Sequence, residues 1–213
     1  MKNFLLFSLL VLSANCFSQK IYADKHFGFS INHPKNWIIN DNTAFIDSLL
    51  TAKTESDTSE IIDENNGVLL LAKFEKFAKN TTGFNPVVEI NLLNNQTLSF
   101  DDFFEDIKAS SQLLKSLYQN FAFVNEAKII DINDYKAITF DGKFNLIGTK
   151  NVVIEVNRLR AKTQKNYEIP LKTKFYAIPL GKYFIQISYT TEADKKDDEL
   201  VLSDFIKSLK IGT

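Results

Sequence analysis

Alternating apolar and polar residues recur along most of this chain, and this pattern constrains the fold more than any other feature. A period of two puts every second side chain on the same face, which is typical of a strand with one buried face. Residues 26–33 alternate strictly, and residues 183–189 alternate except that the apolar Phe184 points away from the face shared by Tyr183, Ile185, Ile187 and Tyr189. Shorter or less regular forms of the pattern occupy 68–77, 86–92, 123–132, 135–140 and 152–159. The chain is therefore predicted to build mainly β-sheet.

Turn signals separate several of these predicted strands. Pro34 ends the first strand because proline donates no ladder hydrogen bond, and a turn then leads to a strand at 37–39. Asn133-Asp134, Asp141-Gly142 and Leu180-Gly181 predict tight turns, the last two as hairpins. Since hairpins join antiparallel neighbours, we expect an antiparallel sheet.

Two other segments have apolar residues at the helical period. The first helix is predicted to begin at Ser99, with Asp102 as its partner in a capping box. Its apolar stripe follows about five turns and comprises Phe103, Ile107, Leu114, Leu117 and Phe121. The second helix is predicted over 195–209, with a stripe formed by Leu200, Val201, Phe205, Ile206 and Leu209. This order of elements predicts an α+β fold, a twisted antiparallel sheet flanked by helices.

The stretch between the early strands is less regular. Residues 44–50 fit either a short helix or a short strand. Residues 51–66 are almost all polar, apart from Ala52, Ile61 and Ile62, and are predicted to form a loop within one domain.

The first 18 residues are predicted to be a secretory signal peptide. Lys2 precedes an apolar run over 4–12, and a short segment with small residues follows. The run is too short to span a bilayer, so we predict no transmembrane segment. Cleavage after Ser18 leaves a single domain over 19–213, exported to the periplasm or secreted. The alternative is a lipoprotein anchored through Cys16.

Composition excludes several kinds of chemistry from the mature domain. Cleavage after Ser18 removes the one cysteine, so disulfides, thiol catalysis and thiolate metal sites are excluded. The balance of 25 basic and 26 acidic residues predicts that nucleic acid is not a partner. No nucleophile elbow and no glycine-rich phosphate loop occurs, so we predict no catalytic residue, no cofactor site and no metal site.

The residues that most often carry chemistry have simpler interpretations here. His26 and His33 lie seven apart on one predicted strand, on opposite faces and about 23 Å apart if it is extended, so they are interpreted as surface histidines. Residues 57–67 contain carboxylates but lack the alternating ligands of a calcium loop. Arg158 and Arg160 share a strand face, and they would suit a carboxylate or phosphate unless that face is only solvated. Asp141 and Glu155 cannot be paired as acid and base from sequence.

Two segments carry a family resemblance. The opening segment is Gly28-Phe29-Ser30-Ile31-Asn32-His33-Pro34-Lys35-Asn36-Trp37, and the closing one is the strand at 181–189 with the terminal helix. Together they resemble the PsbP-like family, named for an extrinsic subunit of photosystem II. The resemblance implies an αβα sandwich over about 22–210, in which Gly28 is a strand position, Pro34 a breaker and Trp37 a core anchor. It implies little about activity, because members outside chloroplasts are mostly small exported or lipid-anchored proteins of unassigned role.

Three functions remain open at this point. The first is a non-enzymatic binding or accessory protein of the cell envelope or periplasm, which recognises a protein partner or a small ligand. The alternative is a secreted or periplasmic hydrolase whose acidic catalytic residues converge in the fold. The third is a structural envelope component held by surface aromatic residues. Oligomeric state is open as well.

Overall fold

Ten strands and five helices are found in the computed structural model, which describes residues 20–52, 58–65, 67–78, 83–156, 159–195 and 199–212. The strands are β1 Ile21–Asp24, β2 Phe29–Asn32, β3 Ile38–Asp41, β4 Leu69–Glu75, β5 Val87–Asn94, β6 Ala122–Ile132, β7 Tyr135–Val156, β8 Leu159–Leu180, β9 Tyr183–Glu192 and β10 Lys210–Ile211. The helices are α1 Thr43–Ala52, α2 Thr58–Glu64, α3 Phe100–Ser111, α4 Leu114–Leu117 and α5 Glu199–Lys207.

The strands form two antiparallel sheets. The larger has the order β3-β4-β5-β9-β8-β7-β6, and the smaller has the order β1-β2-β10. Every pairing between neighbouring strands is antiparallel. The prediction of an α+β fold, with helices flanking an antiparallel sheet, is confirmed.

The larger sheet separates two hydrophobic cores because its strands alternate between faces. On one face, side chains of β4, β5 and β9 pack with the small sheet, α1, α2 and α5. The other face packs with α3 and the segment that follows it. As predicted, Ile185, Ile187 and Tyr189 lie on the first face, and Phe184 lies on the second. Phe29 and Ile31 of β2 are fully buried, as the alternation at 26–33 predicts.

The predicted hairpin at Asp141-Gly142 is wrong. Both residues lie inside β7, where Asp141 is opposite Lys174 and Gly142 is opposite Thr173. A Cβ atom at Gly142 would come 2.4 Å from the ring of Phe121. The glycine therefore serves the close approach of an aromatic ring rather than a turn. The turns at Asn133 and Gly181, by contrast, are confirmed, and both residues have positive φ.

The predicted helix of about five turns after Ser99 is also wrong in its length. Ser99 caps α3 as expected, accepting a hydrogen bond of 3.1 Å from the Asp102 N–H. Phe103 and Ile107 are buried, but α3 ends at Ser111, and Leu117 in α4 is 72% exposed. Gln112 and Leu113 donate to carbonyls only three residues back, which tightens the backbone and ends the stripe.

The polar loop predicted over 51–66 is wrong where it is described. Residues 58–64 form α2, whose Ile61 and Ile62 are buried in the core on the first face of the sheet. Two apolar residues in one turn suffice to hold a short helix when a sheet covers them. Residues 44–50, which fit either a short helix or a short strand from the sequence, are helical and belong to α1.

Further differences concern both ends of the domain. Residues 21–24, which precede the first predicted strand, form β1, and residues 210–211 form β10. Both strands pair with β2. Gly28 lies in the turn before β2 with φ +63°, and so is not the strand position that the family resemblance implies. The terminal helix is described from Glu199, and Leu200 is 77% exposed rather than on its buried stripe. The predicted signal peptide lies outside the described residues.

Candidate ligand-binding groove

A groove of about 520 Å³ lies between α5 and the part of the larger sheet formed by β6, β7, β8 and β9. One wall is apolar and comes from α5, where Leu202 and Ile206 are buried. The facing wall comes from β6, through Ile130 and Ile132. The volume is in the usual range of small-molecule sites.

The floor of the groove consists of two tyrosines from neighbouring strands. Tyr176 on β8 is 7% exposed, and Tyr189 on β9 is 3% exposed. Lys174 on β8 is directly opposite Tyr189 on the neighbouring strand β9, and it is directly opposite Asp141 on the other neighbour, β7. These residues form a cross-strand row on one face, because directly opposed residues point to the same side of a sheet.

Three lysines line the groove, two from β8 and one from α5. Lys172, Lys174 and Tyr176 are spaced two residues apart along β8 and so share one face. Lys207 lies in the last turn of α5. The Lys174 ammonium lies 5.4 Å from the centre of the Tyr176 ring, a cation–π distance. The groove thus combines an aromatic floor with positive charge at its mouth.

The two aspartates in the lining offset this charge only in part. Asp131 is opposite Lys136, whose ammonium lies over the Phe100 ring on the other face of the sheet. The alternation of β6 therefore turns the Asp131 side chain away from the groove. Asp141 stays on the groove face, and its carboxylate accepts a hydrogen bond of 2.7 Å from the Asn125 amide. Among the side chains that line the groove, ammonium groups thus outnumber carboxylates.

One end of the groove is closed by the turn between β6 and β7. The side-chain amide of Asn133 donates to the carbonyl oxygens of Lys207 and Leu209, over 3.2 and 2.7 Å. Asn133 has φ +52°, a conformation that asparagine adopts more readily than most residues. These bonds tie α5 to the sheet and set the width of the groove.

A second cavity of about 340 Å³ lies on the other face of the sheet, under α3. Its walls are mostly apolar, with Ile107, Phe140 and Phe184 among the lining side chains. The Ser111 hydroxyl, at its edge, donates to the Lys108 carbonyl within the helix. This cavity offers a ligand fewer oriented polar groups than the groove does.

The histidines do not lie on one extended strand, because a turn separates His26 from β2. His26 Nε2 lies 2.6 Å from Asp47 Oδ1, in a pair exposed to solvent. His33 Nδ1 lies 2.8 Å from the Pro34 carbonyl oxygen, and its ring stands edge-on to Phe74. Within the described part of the chain, no three His, Cys, Asp or Glu side chains gather as a metal site.

Several of the acidic and basic side chains that the sequence singled out lie outside the described part of the chain. Asp63 on α2 accepts from the Asn94 amide over 2.9 Å, and Asp57 lies outside the described residues. Arg158 also lies outside them, as do the side chains of Arg160 and Glu155. The arginine clasp therefore stays a prediction, and Asp141 and Glu155 are not assigned as an acid–base pair.

Tyr22 and Asp24 are two buried polar residues of β1 in the small sheet. Burial raises the pKa of the Tyr22 hydroxyl above its usual range, and the charges of Asp24 and Asp41 raise it further. Asp24 is 2% exposed and accepts from the backbone N–H groups of His26 and Phe27, over 3.0 and 3.2 Å. This arrangement fixes the turn before β2, so it is structural.

Comparisons with known proteins give distant similarities to solved structures, of which two are described. No family model and no curated protein matches the chain, so the resemblance to the PsbP-like family is not confirmed. The chain is similar to the solved structure of LpqN, a protein involved in cell envelope biogenesis of Mycobacterium tuberculosis. The TM-score is 0.47 at 9% identity, over 92% of this chain and 87% of that one.

The second similarity is to a protein of Bacteroides thetaiotaomicron. The TM-score is 0.41 at 10% identity, over 92% of this chain and 49% of the other, so this chain spans about half of that protein. We transfer no residue role from either protein. None of the helices in the described ranges is long and apolar enough to cross a membrane.

Sequence reasoning did not find the groove. Its chemistry was partly visible, because Lys172, Lys174 and Tyr176 are spaced two residues apart, which would place them on one face of a strand. The wall that makes this row a site is contributed by α5, some thirty residues later, and only the fold brings the two together.

Proposed function

We propose that this protein is an exported, non-enzymatic binding protein of the cell envelope or periplasm, a single domain that follows a cleaved leader. Its ligand is a small amphipathic molecule with a carboxylate head and an apolar body. The groove between α5 and the larger sheet carries this proposal, because it places lysines at the rim of an aromatic and aliphatic floor. Membership of the PsbP-like family is part of the same proposal and rests on the sequence segments alone.

The polarity of the groove sets the expected orientation of the ligand. Tyr176, Tyr189 and Ile206 are buried and present apolar surface to the body of the ligand. Lys172 and Lys174 would meet the carboxylate, as flexible point charges suited to a single anionic head. Each apolar methylene removed from water contributes roughly 0.8 kcal/mol, so the tail supplies most of the affinity.

The test compares ligands that share one tail and differ in the head. Dodecanoate, dodecanol and dodecylamine, all kept below their aggregation limits, would be titrated calorimetrically into the mature protein. The single tryptophan, Trp37, lies 6.5 Å from Tyr189 by ring centres and gives a second, fluorescent readout. We expect dodecanoate to bind at least tenfold more tightly than the other two, a difference of about 1.4 kcal/mol.

Paired variants separate the groove from general charge effects. The double variant Lys172→Gln with Lys174→Gln is expected to weaken the binding of dodecanoate by roughly tenfold and to leave the binding of dodecanol unchanged. Lys108→Gln is the control, because Lys108 is exposed on α3, on the other face of the sheet. Equal binding of all three ligands, or equal loss in the control, would contradict the proposal.

A further inference from the structure

The second cavity, between α3 and the larger sheet, opens where small side chains line both sides. Ile107 of α3 is buried against the sheet, and the positions three and four residues further on, Ser110 and Ser111, line the cavity. On the sheet side, Ala177 of β8 is a lining residue. Because protein interiors are close-packed, an opening of about 340 Å³ between a helix and a sheet is a space that a ligand can fill.

The sheet side of this cavity is aromatic. Its rings come from three neighbouring strands, as Phe140 on β7, Phe175 on β8 and Phe184 on β9, and each is at most 9% exposed. The Phe140 and Phe175 rings stack, with 4.8 Å between their centres. Aromatic rings pack with apolar groups and also attract cations through the negative charge of their faces. This wall therefore suits an apolar ligand body that carries a positive charge.

The charge at the rim of the cavity is negative. Among the described side chains that line it, Asp106 is the only one with a charge, and its exposed carboxylate lies one helical turn before Ser110. Lys108, two residues later, is engaged elsewhere. Its ammonium lies 5.6 Å from the centre of the Phe104 ring and 3.5 Å from the Glu105 carboxylate. The Asp106 carboxylate is thus available to a cationic ligand group.

The two serine hydroxyls in the lining are available to a ligand as acceptors. The Ser110 hydroxyl donates to the Ile107 carbonyl oxygen over 3.1 Å, and the Ser111 hydroxyl donates to the Lys108 carbonyl oxygen over 2.8 Å. Since a hydroxyl has one proton to donate, both oxygens offer a ligand only lone pairs. The Gln186 amide adds a further carbonyl oxygen on the sheet side. An ammonium, which donates hydrogen bonds and accepts none, fits this lining.

We propose that this cavity binds a small primary ammonium compound with an aromatic body. The body lies between α3 and the phenylalanine wall, and the ammonium meets the Asp106 carboxylate at the rim. The cavity and the groove lie on opposite faces of the larger sheet, so the two sites are separate. Their charges are opposite as well, which favours an ammonium ligand in the cavity and a carboxylate ligand in the groove.

The test compares three ligands that share a phenethyl body: phenethylamine, 2-phenylethanol and 3-phenylpropanoate. Each would be titrated calorimetrically into the mature protein at neutral pH, where the amine is protonated. We expect phenethylamine to bind at least tenfold more tightly than the alcohol, and the carboxylate to bind more weakly than the alcohol. Asp106→Asn should weaken the binding of phenethylamine by roughly tenfold and leave the binding of the alcohol unchanged.

Matched controls come from the same helix. Asp101→Asn removes an equal charge from the first turn of α3, at an exposed residue outside the lining, and should leave phenethylamine binding unchanged. Ser110→Leu fills the cavity from the helix and should weaken the binding of both the amine and the alcohol. Ala109→Leu, at the neighbouring exposed position, should weaken neither. Leucine is a good helix former, so both leucine variants are expected to fold.

Three results would overturn the proposal. Equal binding of the amine and the alcohol would show that the cavity does not select a positive charge. Equal losses from Asp106→Asn and Asp101→Asn would show that only the net charge of α3 matters. Absence of phenethylamine binding at millimolar concentration would show that the cavity is not an ammonium site. Ser110→Leu should leave dodecanoate binding unchanged, so failure in the cavity is distinguished from failure in the groove.

Discussion

At the scale of single residues, buried polar groups are paired where the backbone needs them. Asp24 accepts from two backbone N–H groups of the turn that leads into β2. The Tyr22 hydroxyl lies 3.4 Å from both the Asp24 carboxylate and the Leu71 carbonyl oxygen, so its hydrogen bonds are long. Such a hydroxyl contributes little through hydrogen bonding, and its main electrostatic consequence is the cost of ionising it.

This cost predicts a defined alkaline sensitivity. Because the pKa of Tyr22 is raised in the folded state, the unfolded chain ionises first, near pH 10. The stabilisation is therefore complete below about pH 10 and is lost as the pH rises above it, by at most about 1.4 kcal/mol per pH unit. Tyr22→Phe removes this titration, so its free energy of unfolding should approach that of the natural protein between pH ~9 and ~11.

Urea unfolding at several pH values measures the effect. Tyr118→Phe is the control, because Tyr118 is 39% exposed. At neutral pH, Tyr22→Phe should cost about 0.5 kcal/mol, the lower end for a hydrogen bond, because both contacts of the hydroxyl are long. A constant difference between Tyr22→Phe and the natural protein across the alkaline range would contradict this account.

At the scale of elements, β7 shows how a glycine inside a strand can resemble a turn. Asp141-Gly142 is flanked by alternating residues, which is the pattern of a hairpin. In the fold, β7 continues because Phe121 lies against Gly142 and covers its backbone. The element is thus decided by Phe121, which lies twenty-one positions before Gly142 in the chain.

A matched pair of glycine variants tests this role. A Cβ at Gly142 would meet the buried Phe121 ring at 2.4 Å and the Ala122 carbonyl oxygen at 3.0 Å. A Cβ at Gly148 would meet the Tyr167 side chain at 2.4 Å, but Tyr167 is 40% exposed and has room to move. Gly142→Ala should therefore lower the free energy of unfolding by about 1–3 kcal/mol, and Gly148→Ala by less than about 0.5 kcal/mol.

Chemical denaturation of both variants at neutral pH gives the comparison. Two equal losses would mean that glycine matters in β7 only through strand propensity. No loss at Gly142 would mean that Phe121 does not occupy the position described for it.

At the scale of the whole molecule, stability is distributed unevenly. The larger sheet is covered on both faces where it is seven strands wide, and its residues Ala137–Thr139 are buried. Residues 146–169, the part of the β7–β8 hairpin that we call the arm, have no third strand beside them, since β7 and β8 pair only with each other there in the part described. Backbone groups in the arm should therefore open by local fluctuation, while those in the central sheet open only when the domain unfolds.

Amide hydrogen exchange of the mature protein tests this difference. The N–H groups of Ile138 and Phe140 should exchange at the rate of global unfolding, and those paired between Gly148 and Val152 at least a hundredfold faster. Equal protection in both regions would show that the arm is covered in solution.

Much of this architecture follows from local patterns in the sequence. Alternation at 183–189 predicts which residues of β9 face each core, and Ser99 predicts the start of α3. Both succeed because a strand period and a helix cap depend on neighbouring residues. The α+β class follows from the same local information, because hairpins imply antiparallel pairing.

Tertiary structure decided the features that depend on distant residues. Ile61 and Ile62 are too short a pattern to predict α2, yet the sheet that buries them makes that helix stable. The groove exists because α5 lies across β6 to β9, and the arm stands alone because β6 and β9 end before it. Sequence alone determined the alternation and the charges, whereas burial, which converts them into a site, depends on contacts between segments far apart in the chain.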